Sequence, residues 1–300
     1  MLRGLSAAAG AACALGLGTL AYANRVELNR FTLRHAEVVV PGLAVQLRLL
    51  HISDIHYVPG QQKKHDWLQQ LAAWEPDFVV NTGDNLSDPK AVPEVLSALG
   101  PLMDLPGCFV PGSNDYYAPQ WKNPLKYFTG PSTLHPTASS LPTEDLFGGF
   151  DAAGWINLSN THAATTVGGV ELALSGVDDP HIERNEFSGW PETDPQLRIG
   201  VAHAPQLHVL ETFTAAKADL VLAGHTHGGQ VCLPSLTGTG RALVTNCDLP
   251  VRYAKGLHSR ERPGGGHTHV HVSAGLGTSA KAPVRLFCPP EATLLTVRGS

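Results

Sequence analysis

Five short polar clusters, each directly after a run of apolar residues, constrain the fold of this 300-residue chain more than any other feature of its sequence. The apolar runs have the length and the branched side chains that are typical of β-strands. In open α/β sheets, ligands bind at the loops that follow the carboxyl ends of the strands. The clusters read HISDIH at 51–56, NTGD at 81–84, PGSND at 111–115, VAHAP at 201–205 and AGHTHGGQ at 223–230. Their placement predicts one site built from segments that are far apart in the chain.

The order of strand-like and helical segments around these clusters predicts an α/β fold of two packed sheets. The two kinds of segment alternate through the first half, and the second half becomes rich in strands and in glycine. A hydrophobic fraction of 43% supplies enough apolar surface for a large core. Residues 116–150 combine proline, glycine, threonine and aromatic residues, which predicts an irregular cap loop over one end of a sheet.

Two of the clusters place candidate metal ligands two residues apart. Asp54 and His56 form one such pair, and His225 and His227 form the other. In an extended backbone, residues i and i+2 point to the same side, so each pair can converge on one ion. Asp84 offers two oxygens that could bridge two metals, and the mixed nitrogen and oxygen set suits Mn, Fe or Zn rather than Ca.

The order of the clusters resembles the motif pattern of the calcineurin-like metallophosphoesterase superfamily, which is D-x-H, G-D, G-N-H-[DE], H and G-H-x-H. Within it, the chain is similar to the membrane-associated bacterial phosphodiesterase branch, in which GHTHGGQ and a C-terminal GLGTS-type segment also appear. The likeness runs from about His51 to the C-terminus and implies a four-layer αββα sandwich of two mixed sheets with flanking helices. It places a dinuclear metal site at the carboxyl ends of the strands, in a catalytic domain formed by residues 36–300.

The resemblance also implies a ligand set for two divalent ions, which would be Mn, Fe or Zn. Asp54, His56 and His227 would hold one ion, Asn114, His203 and His225 would hold the other, and Asp84 would bridge them. A hydroxide that bridges the two ions would then hydrolyse phosphoesters, either phosphodiesters or phospholipid-like substrates.

The third cluster departs from the family pattern, because Gly112-Ser113-Asn114-Asp115 stands where the family has Gly-Asn-His-Asp. Either Asn114 has shifted by one residue and keeps the amide ligand, or Ser113 or a water fills that place. On both accounts the histidine that acts on the leaving group is missing. The candidate substitutes are His181 of GVDDPHIER and a residue of the 116–150 segment, and the predicted catalytic residues are Asp84, Asn114 and His181.

Three further residues are candidates for substrate binding. Asp115 and Tyr116 follow the degenerate third motif directly. Arg285 lies near the GLGTS turn, where it could make a bidentate contact with phosphate, although an arginine of an edge strand is equally consistent with the sequence.

The N-terminal 35 residues form a separate unit by composition. Residues 5–23 contain no charge and have about the length that a bilayer span requires. This pattern predicts a membrane-associated protein with a single N-terminal anchor, with a cleaved signal and a soluble flanking helix as the alternatives. Arginines flank the segment on both sides, so the side of the membrane stays open.

A formal net charge of −5 counts against nucleic acid as a partner. The expected substrate is therefore a phosphoester small molecule or lipid, and a DNA or RNA nuclease of the same superfamily is the less favoured alternative. The substituted third motif leaves a second alternative from another class, a degenerate metal-binding or regulatory module without turnover.

Two other patterns carry weaker predictions. The five cysteines are widely spaced without a CxxC pair, which leaves one bonded pair open. His267, His269 and His271 alternate in HTHVHV, and we expect them to line the solvent-facing side of a strand.

Overall fold

The computed structural model describes residues 2–121, 138–236 and 240–300, with side chains described from Gly10 onward. Within this part the strands form two six-stranded sheets and one two-stranded pair. The helices are α1 (Leu2–Arg25), α2 (Gln62–Gln70), α3 (Val92–Met103), α4 (Ser113–Tyr116), α5 (Thr143–Ala152) and α6 (Leu207–Ala215).

Both large sheets are mixed. The first has the order β1-β14-β2-β3-β4-β5, and only the β14–β2 pair in it is antiparallel. Its strands are β1 (Thr32–Val39), β2 (Leu47–Ile52), β3 (Phe78–Asn81), β4 (Gly107–Phe109), β5 (Ile156–Asn157) and β14 (Glu291–Arg298). The second has the order β12-β13-β9-β8-β7-β6, with antiparallel pairs at its two edges. Its strands are β6 (His162–Val167), β7 (Val170–Gly176), β8 (Leu197–Val201), β9 (Leu220–Ala223), β12 (Gly256–Glu261) and β13 (His267–Val272). A short pair, β10 (Cys232–Leu233) and β11 (Arg241–Ala242), lies outside both sheets.

Alternation along the strands sorts the buried side chains into layers. In the first sheet, Leu49 packs between the two sheets, whereas Leu50 packs toward α2 and α3. In the second sheet, Leu222 faces the layer between the sheets and Val221 packs against α6. Because each sheet is covered on both faces, its strands are apolar on both sides. The predicted four-layer αββα sandwich is confirmed.

The five polar clusters begin where parallel strands end. β2, β3 and β4 run parallel and lead into the first three clusters, and β8 and β9 of the other sheet lead into the last two. The carboxyl ends of both sheets therefore contribute loops to one edge of the sandwich, as the sequence predicts.

The N-terminal region differs from the prediction in two respects. Over the part of α1 whose side chains are described, and over every other described helix, no segment is long and apolar enough to cross a membrane. The predicted membrane segment is therefore not supported. The boundary between residues 35 and 36 also lies inside a strand, because β1 begins at Thr32 and pairs with β14 along its whole length.

The predicted irregular cap loop at 116–150 is wrong for residues 143–150. Residues Thr143–Ala152 form α5, which packs Leu146 and Phe150 into the core beside α3. The segment is helical because its apolar residues recur at helical spacing, a period that the surrounding glycine and proline concealed. Residues 122–137 of the predicted loop lie outside the described part of the chain.

The histidine stripe of β13 is also not what the alternation predicts. His267 is exposed and His269 is half-buried, but His271 is only 2% exposed and lies in the layer between the sheets. Its Nδ1 is 2.8 Å from Nδ1 of His51, and Nε2 of His51 is 3.0 Å from the Thr82 hydroxyl. The histidines therefore become progressively more buried from His267 to His271, because the first sheet covers the later part of β13.

Candidate metal centre

Buried carboxylates and imidazoles from both sheets meet where the strands end. Asp54, His56 and His227 offer ligand atoms that lie within 4.8 Å of one another, and so do Asp54, Asp84 and His203. All five side chains are buried. Two overlapping groups of this kind are suited to two neighbouring divalent ions.

The remaining predicted ligands adjoin the second group. His225 Nδ1 lies 3.2 Å from His203 Nε2. The Asn114 amide donates to Asp84 Oδ2 at 3.2 Å, and its backbone N–H donates to Oδ1 at 2.7 Å. The structure thus brings together all seven residues predicted from the sequence.

The backbone at these positions is unusual. Asp54, His56, Asp84, His225 and His227 all adopt positive φ, between 44° and 66°. For residues other than glycine this left-handed region is sparsely populated and costs about 1–3 kcal/mol, and such strain concentrates at functional sites. The side chains converge because each strand ends in a tight left-handed turn, and not because the i and i+2 residues lie in extended backbone.

Glycines permit these turns to approach one another. At Gly83, which has φ 87°, a Cβ would collide with the backbone of Pro111 and Gly112. At Gly224, a Cβ would collide with the Ser53 hydroxyl and would lie 2.5 Å from Asp54 Oδ2. The loops of the two sheets therefore meet closely only because these positions lack side chains.

Outer hydrogen bonds orient three of the imidazoles. Nδ1 of His203 lies 2.7 Å from the carbonyl oxygen of Thr82, Nδ1 of His227 lies 3.2 Å from that of Gly277, and Nδ1 of His56 lies 3.1 Å from the Ser87 hydroxyl. A hydrogen bond at one ring nitrogen fixes the tautomer and leaves the other nitrogen for a ligand. In all three rings the nitrogen left for an ion is Nε2, which faces the carboxylates.

The distances between imidazole and carboxylate atoms inside the site are close to those between two ligands of one ion. Nε2 of His56 and Nε2 of His203 lie 3.4 and 3.5 Å from Asp84 Oδ2, and Nε2 of His227 lies 3.7 Å from Asp54 Oδ1. Two ligands at about 2.1 Å from a tetrahedral ion are separated by about 3.4 Å.

Two nitrogens of this site, Nε2 of His56 and Nε2 of His225, are buried without a hydrogen-bond partner in the described part of the chain. Unsatisfied buried polar atoms are unfavourable unless an ion or a water binds them. The donor set therefore fits divalent metal.

Burial keeps three of the imidazoles neutral. Burial lowers the pKa of His56 to about 4 against the opposing effect of Asp84, and it lowers that of His227 to about 4 against Asp54. Burial and the neighbouring His181 lower the pKa of His225 well below its usual value. Neutral imidazole is the form that binds metal, so these rings are ready to act as ligands.

His203 differs, because it is paired with a carboxylate. Although burial opposes it, the Asp84 and Asp179 carboxylates raise the pKa of His203 well above its usual value. Burial likewise disfavours the ionised form of Asp84, yet His203 and His56 lower its pKa. His203 must lose its proton before Nε2 can bind an ion, so metal binding at this ring is coupled to proton release.

The substituted third motif places Asn114 rather than Ser113 against the bridging carboxylate. The Asn114 amide nitrogen contacts Asp84 and also the Ser113 hydroxyl, at 3.2 Å in each case. Half a turn of the amide about its Cβ–Cγ bond would present the oxygen to the site instead of the nitrogen. This placement agrees with the prediction that Asn114 retains the role of the amide ligand.

Asp115 does not face the cleft. It is completely buried, and its two oxygens accept hydrogen bonds from the backbone N–H groups of Asp84, Asn85 and Gly112 at 2.7–2.9 Å. Burial and the neighbouring Asp84 raise its pKa to about 6. The expectation that Asp115 binds substrate is therefore corrected: its carboxylate holds together the second and third motif loops.

Arg285 is also turned away from substrate. Its guanidinium is completely buried, and Nη2 donates to the carbonyls of Ala274, Gly275 and Gly277 at 2.6–3.1 Å. The predicted phosphate contact is corrected, because the side chain is completely buried and both Nη1 and Nη2 already donate to backbone carbonyls. Since Gly277 also contacts His227, Arg285 supports the metal site from behind.

The other two candidates lie at the edge of the site. The ring centroid of His181 is 4.4 Å from that of His225. Tyr116 donates its hydroxyl to Asp178 Oδ2 at 3.0 Å, and the Arg184 guanidinium lies over its ring at 4.3 Å. His181 is thus brought to the metal ligands, whereas Tyr116 joins the third-motif loop to the 178–184 segment.

Sequence reasoning missed the residues that support the ligands. Ser87 and Thr82 orient His56 and His203, and buried Asp179 accepts from the backbone N–H of His181 at 2.8 Å. Asp179 carries a local signal, since an aspartate before Pro180 is a typical cap for a short helical turn. Nothing in the sequence marks Ser87, whose partner is 31 residues away.

The chain is similar to several known proteins. YpbG, an uncharacterised protein of Bacillus subtilis (strain 168), is 26% identical over 99% of this chain and 97% of its own length. Phosphodiesterase YaeI of Escherichia coli (strain K12) is 28% identical over 57% of this chain and 64% of its own length. The crystal structure of TT1561 of Thermus thermophilus aligns with a TM-score of 0.43 at 13% identity and covers 77% of this chain and 91% of that one.

The family model described as calcineurin-like phosphoesterase matches residues 47–229, which is more than half of the chain and includes all seven predicted ligands. These matches do not confirm the membrane-associated branch. On the family match and the buried ligand groups together, the chain belongs to the calcineurin-like phosphoesterase family.

Proposed function

We propose that the protein is a metal-dependent phosphoesterase that hydrolyses phosphodiesters at a two-metal centre. The observation that carries the proposal is the position of Asp84. Its Oδ2 lies 3.4 Å from Nε2 of His56 and 3.5 Å from Nε2 of His203. The His56 ring packs against His227, and the His203 ring packs against His225. The Asp84 carboxylate therefore contacts one imidazole from each of two ligand groups.

The residues assigned to each ion follow from these contacts. Asp54, His56 and His227 would hold one ion, and Asn114, His203 and His225 would hold the other, with Asp84 shared. Two divalent ions bound there supply positive charge for the phosphate oxygens and lower the pKa of a bound water. Because the surrounding side chains are buried and oriented by outer hydrogen bonds, the site needs little reorganisation during the reaction.

The missing histidine of the third motif requires another proton donor for the leaving oxygen. We assign this role to His181, because its ring adjoins His225 and its backbone is anchored by the buried Asp179 carboxylate. A positioned general acid contributes about 10²–10⁴-fold to such a step.

A phosphodiester is favoured over a monoester by the name of one relative, the phosphodiesterase of Escherichia coli. The phospholipid-like alternative was motivated by the membrane segment, and it loses that support together with the segment.

The test compares two leaving groups and two variants of the full-length protein. Hydrolysis of bis-p-nitrophenyl phosphate with Mn²⁺ should be lost in Asp84→Asn. His181→Asn should retain it, because p-nitrophenolate leaves without protonation. Against a diester with an alkyl alcohol as leaving group, His181→Asn should fall by about 10²–10⁴-fold.

Equal losses on both substrates would contradict the role of His181. A protein that binds Mn²⁺ but hydrolyses neither substrate would instead be the metal-binding module without turnover, which the substituted third motif keeps as the second candidate. Measuring bound metal in the same samples separates that outcome from a failure to bind metal.

A further inference from the structure

Two thiols lie directly behind the turn that carries His225 and His227. Cys232 and Cys288 are 3% and 1% exposed, and both are free thiols. The Cys232 thiol contacts the carbonyl oxygen of Gly228 at 3.3 Å, and the Cys288 thiol contacts those of His227 and Gly228 at 3.4 and 3.6 Å. Both sulfurs therefore approach the same carbonyl next to a candidate metal ligand.

The two thiols also share one cation. Nζ of Lys255 lies 3.7 Å from Cys232 Sγ and 3.4 Å from Cys288 Sγ. The Lys255 ammonium therefore lies beside both sulfurs.

The chain segments that carry the two cysteines are held side by side. Val231 and Leu286 form a parallel bridge, and the N–H of Cys232 donates to the carbonyl of Leu286 at 2.8 Å. Both side chains turn toward the same point, because the Cys232 and Cys288 sulfurs lie 3.3 and 3.6 Å from the carbonyl oxygen of Gly228. The Glu27 carboxylate fixes the other segment by accepting from the Cys288 N–H at 2.6 Å.

A cavity borders this cluster on one side. A cavity of about 470 Å³ is lined by Ala242, Ala254 and Lys255, and the two alanines belong to the same apolar cluster as Cys232 and Cys288. A small oxidant can therefore arrive beside the ammonium group that faces both sulfurs, without passing through the metal site.

We propose that Cys232 and Cys288 form a reversible redox modification site, which a hydroperoxide converts to a disulfide. The Cys288 sulfur attacks one peroxide oxygen, the O–O bond breaks, and the thiol proton passes to the departing oxygen, which leaves as water or an alcohol. The Cys232 sulfur then attacks the resulting sulfenic acid, the S–S bond forms, and a water leaves. Two thiols are oxidised, the peroxide is reduced, and a dithiol reductant reverses the reaction.

Oxidation removes both S–H donors from the His227–Gly228 carbonyls. The GHTHGG turn then loses two hydrogen bonds directly beneath the candidate ligands. The consequence is weaker metal binding in the oxidised protein, by about tenfold.

Mass spectrometry after peroxide treatment tests this site without reference to turnover, so its failure is distinct from a failure of the proposed function. The full-length protein is reduced, treated with hydrogen peroxide, alkylated and digested without reductant. The expected result is one cross-linked peptide pair that contains Cys232 and Cys288 and has lost two hydrogen atoms, and dithiothreitol should restore both thiols. Cys288→Ser should abolish the cross-link, whereas Cys247→Ser, a buried thiol elsewhere, should retain it.

Mn²⁺ binding is then measured on the reduced and oxidised samples. An affinity about tenfold lower after oxidation, restored by dithiothreitol and absent in Cys288→Ser, is the expected result. Oxidation of either thiol without the cross-link would overturn the proposal, as would a cross-link that leaves Mn²⁺ affinity unchanged.

Discussion

The His51–His271 pair makes the stability of this protein depend on pH in a way that can be calculated. The two rings meet at Nδ1, 2.8 Å apart, in the layer between the sheets. A hydrogen bond between these two nitrogens contains one proton, so one ring donates it and the other accepts it. The accepting ring has no proton on Nδ1 and is therefore neutral. Burial lowers the pKa of His271 to about 3, and burial together with His271 lowers that of His51 well below its usual value.

The sign follows from proton binding in the two states. Below about pH 6.5 the unfolded chain binds a proton that the folded ring does not, so the free energy of unfolding falls as pH decreases, until the folded ring also titrates near pH 3. The slope is about 1.4 kcal/mol per pH unit for each ring. Between about pH 7.5 and about pH 5, His271 alone therefore removes about 2 kcal/mol of stability.

The assay is urea unfolding of the metal-free protein at those two pH values. His271→Gln keeps a hydrogen-bonding partner for His51 and removes one titrating ring, so its loss of stability between the two pH values should be smaller than that of the wild type by about 2 kcal/mol. His267→Gln, at an exposed position of the same strand, should behave like the wild type. An unchanged pH dependence in His271→Gln would refute the reasoning.

Three further predictions concern the residues around the metal ligands. Arg285→Met should lower the free energy of unfolding by several kcal/mol, about 1.5–3 kcal/mol for each charged hydrogen bond lost, and a raised KM at unchanged stability would contradict this. Asp115→Ala leaves several buried donors unsatisfied at about 1–3 kcal/mol each and should reduce stability and Mn²⁺ affinity together, whereas a selective rise in KM would point to a substrate contact. Metal binding should release about one proton from His203 near neutral pH, which calorimetry in buffers of different protonation enthalpy measures; no release would contradict the raised pKa.

Local patterns predicted an α/β fold of two packed sheets and the clusters that carry the ligands, and the resemblance to a known family supplied the four-layer sandwich and the set of seven ligands. Apolar runs that end in polar clusters identify strands, and the strand order brings clusters 171 residues apart into contact, as His225 and Asp54 show. The reason given for convergence was nevertheless wrong in detail. Asp54 and His56 lie in left-handed turns beyond the strand, a conformation that their sequence does not reveal.

The errors concern side chains whose surroundings come from distant segments. Alternation assigns His271 to one face of β13, but whether that face is covered depends on how the first sheet packs against it. Asp115 and Arg285 have the chemistry of substrate contacts, and only the tertiary structure shows that backbone groups already occupy them. Sequence reasoning identified the reactive groups better than the groups that hold them in place.

The most direct test of a two-metal centre is a titration of the metal-free protein with Mn²⁺ while hydrolysis of bis-p-nitrophenyl phosphate is followed. If Asp84 joins two ions, activity should continue to rise until about two equivalents of Mn²⁺ have bound, and Asp84→Asn should bind less metal and remain inactive. Full activity after a single equivalent, or an Asp84→Asn variant that is as active as the wild type, would contradict the account.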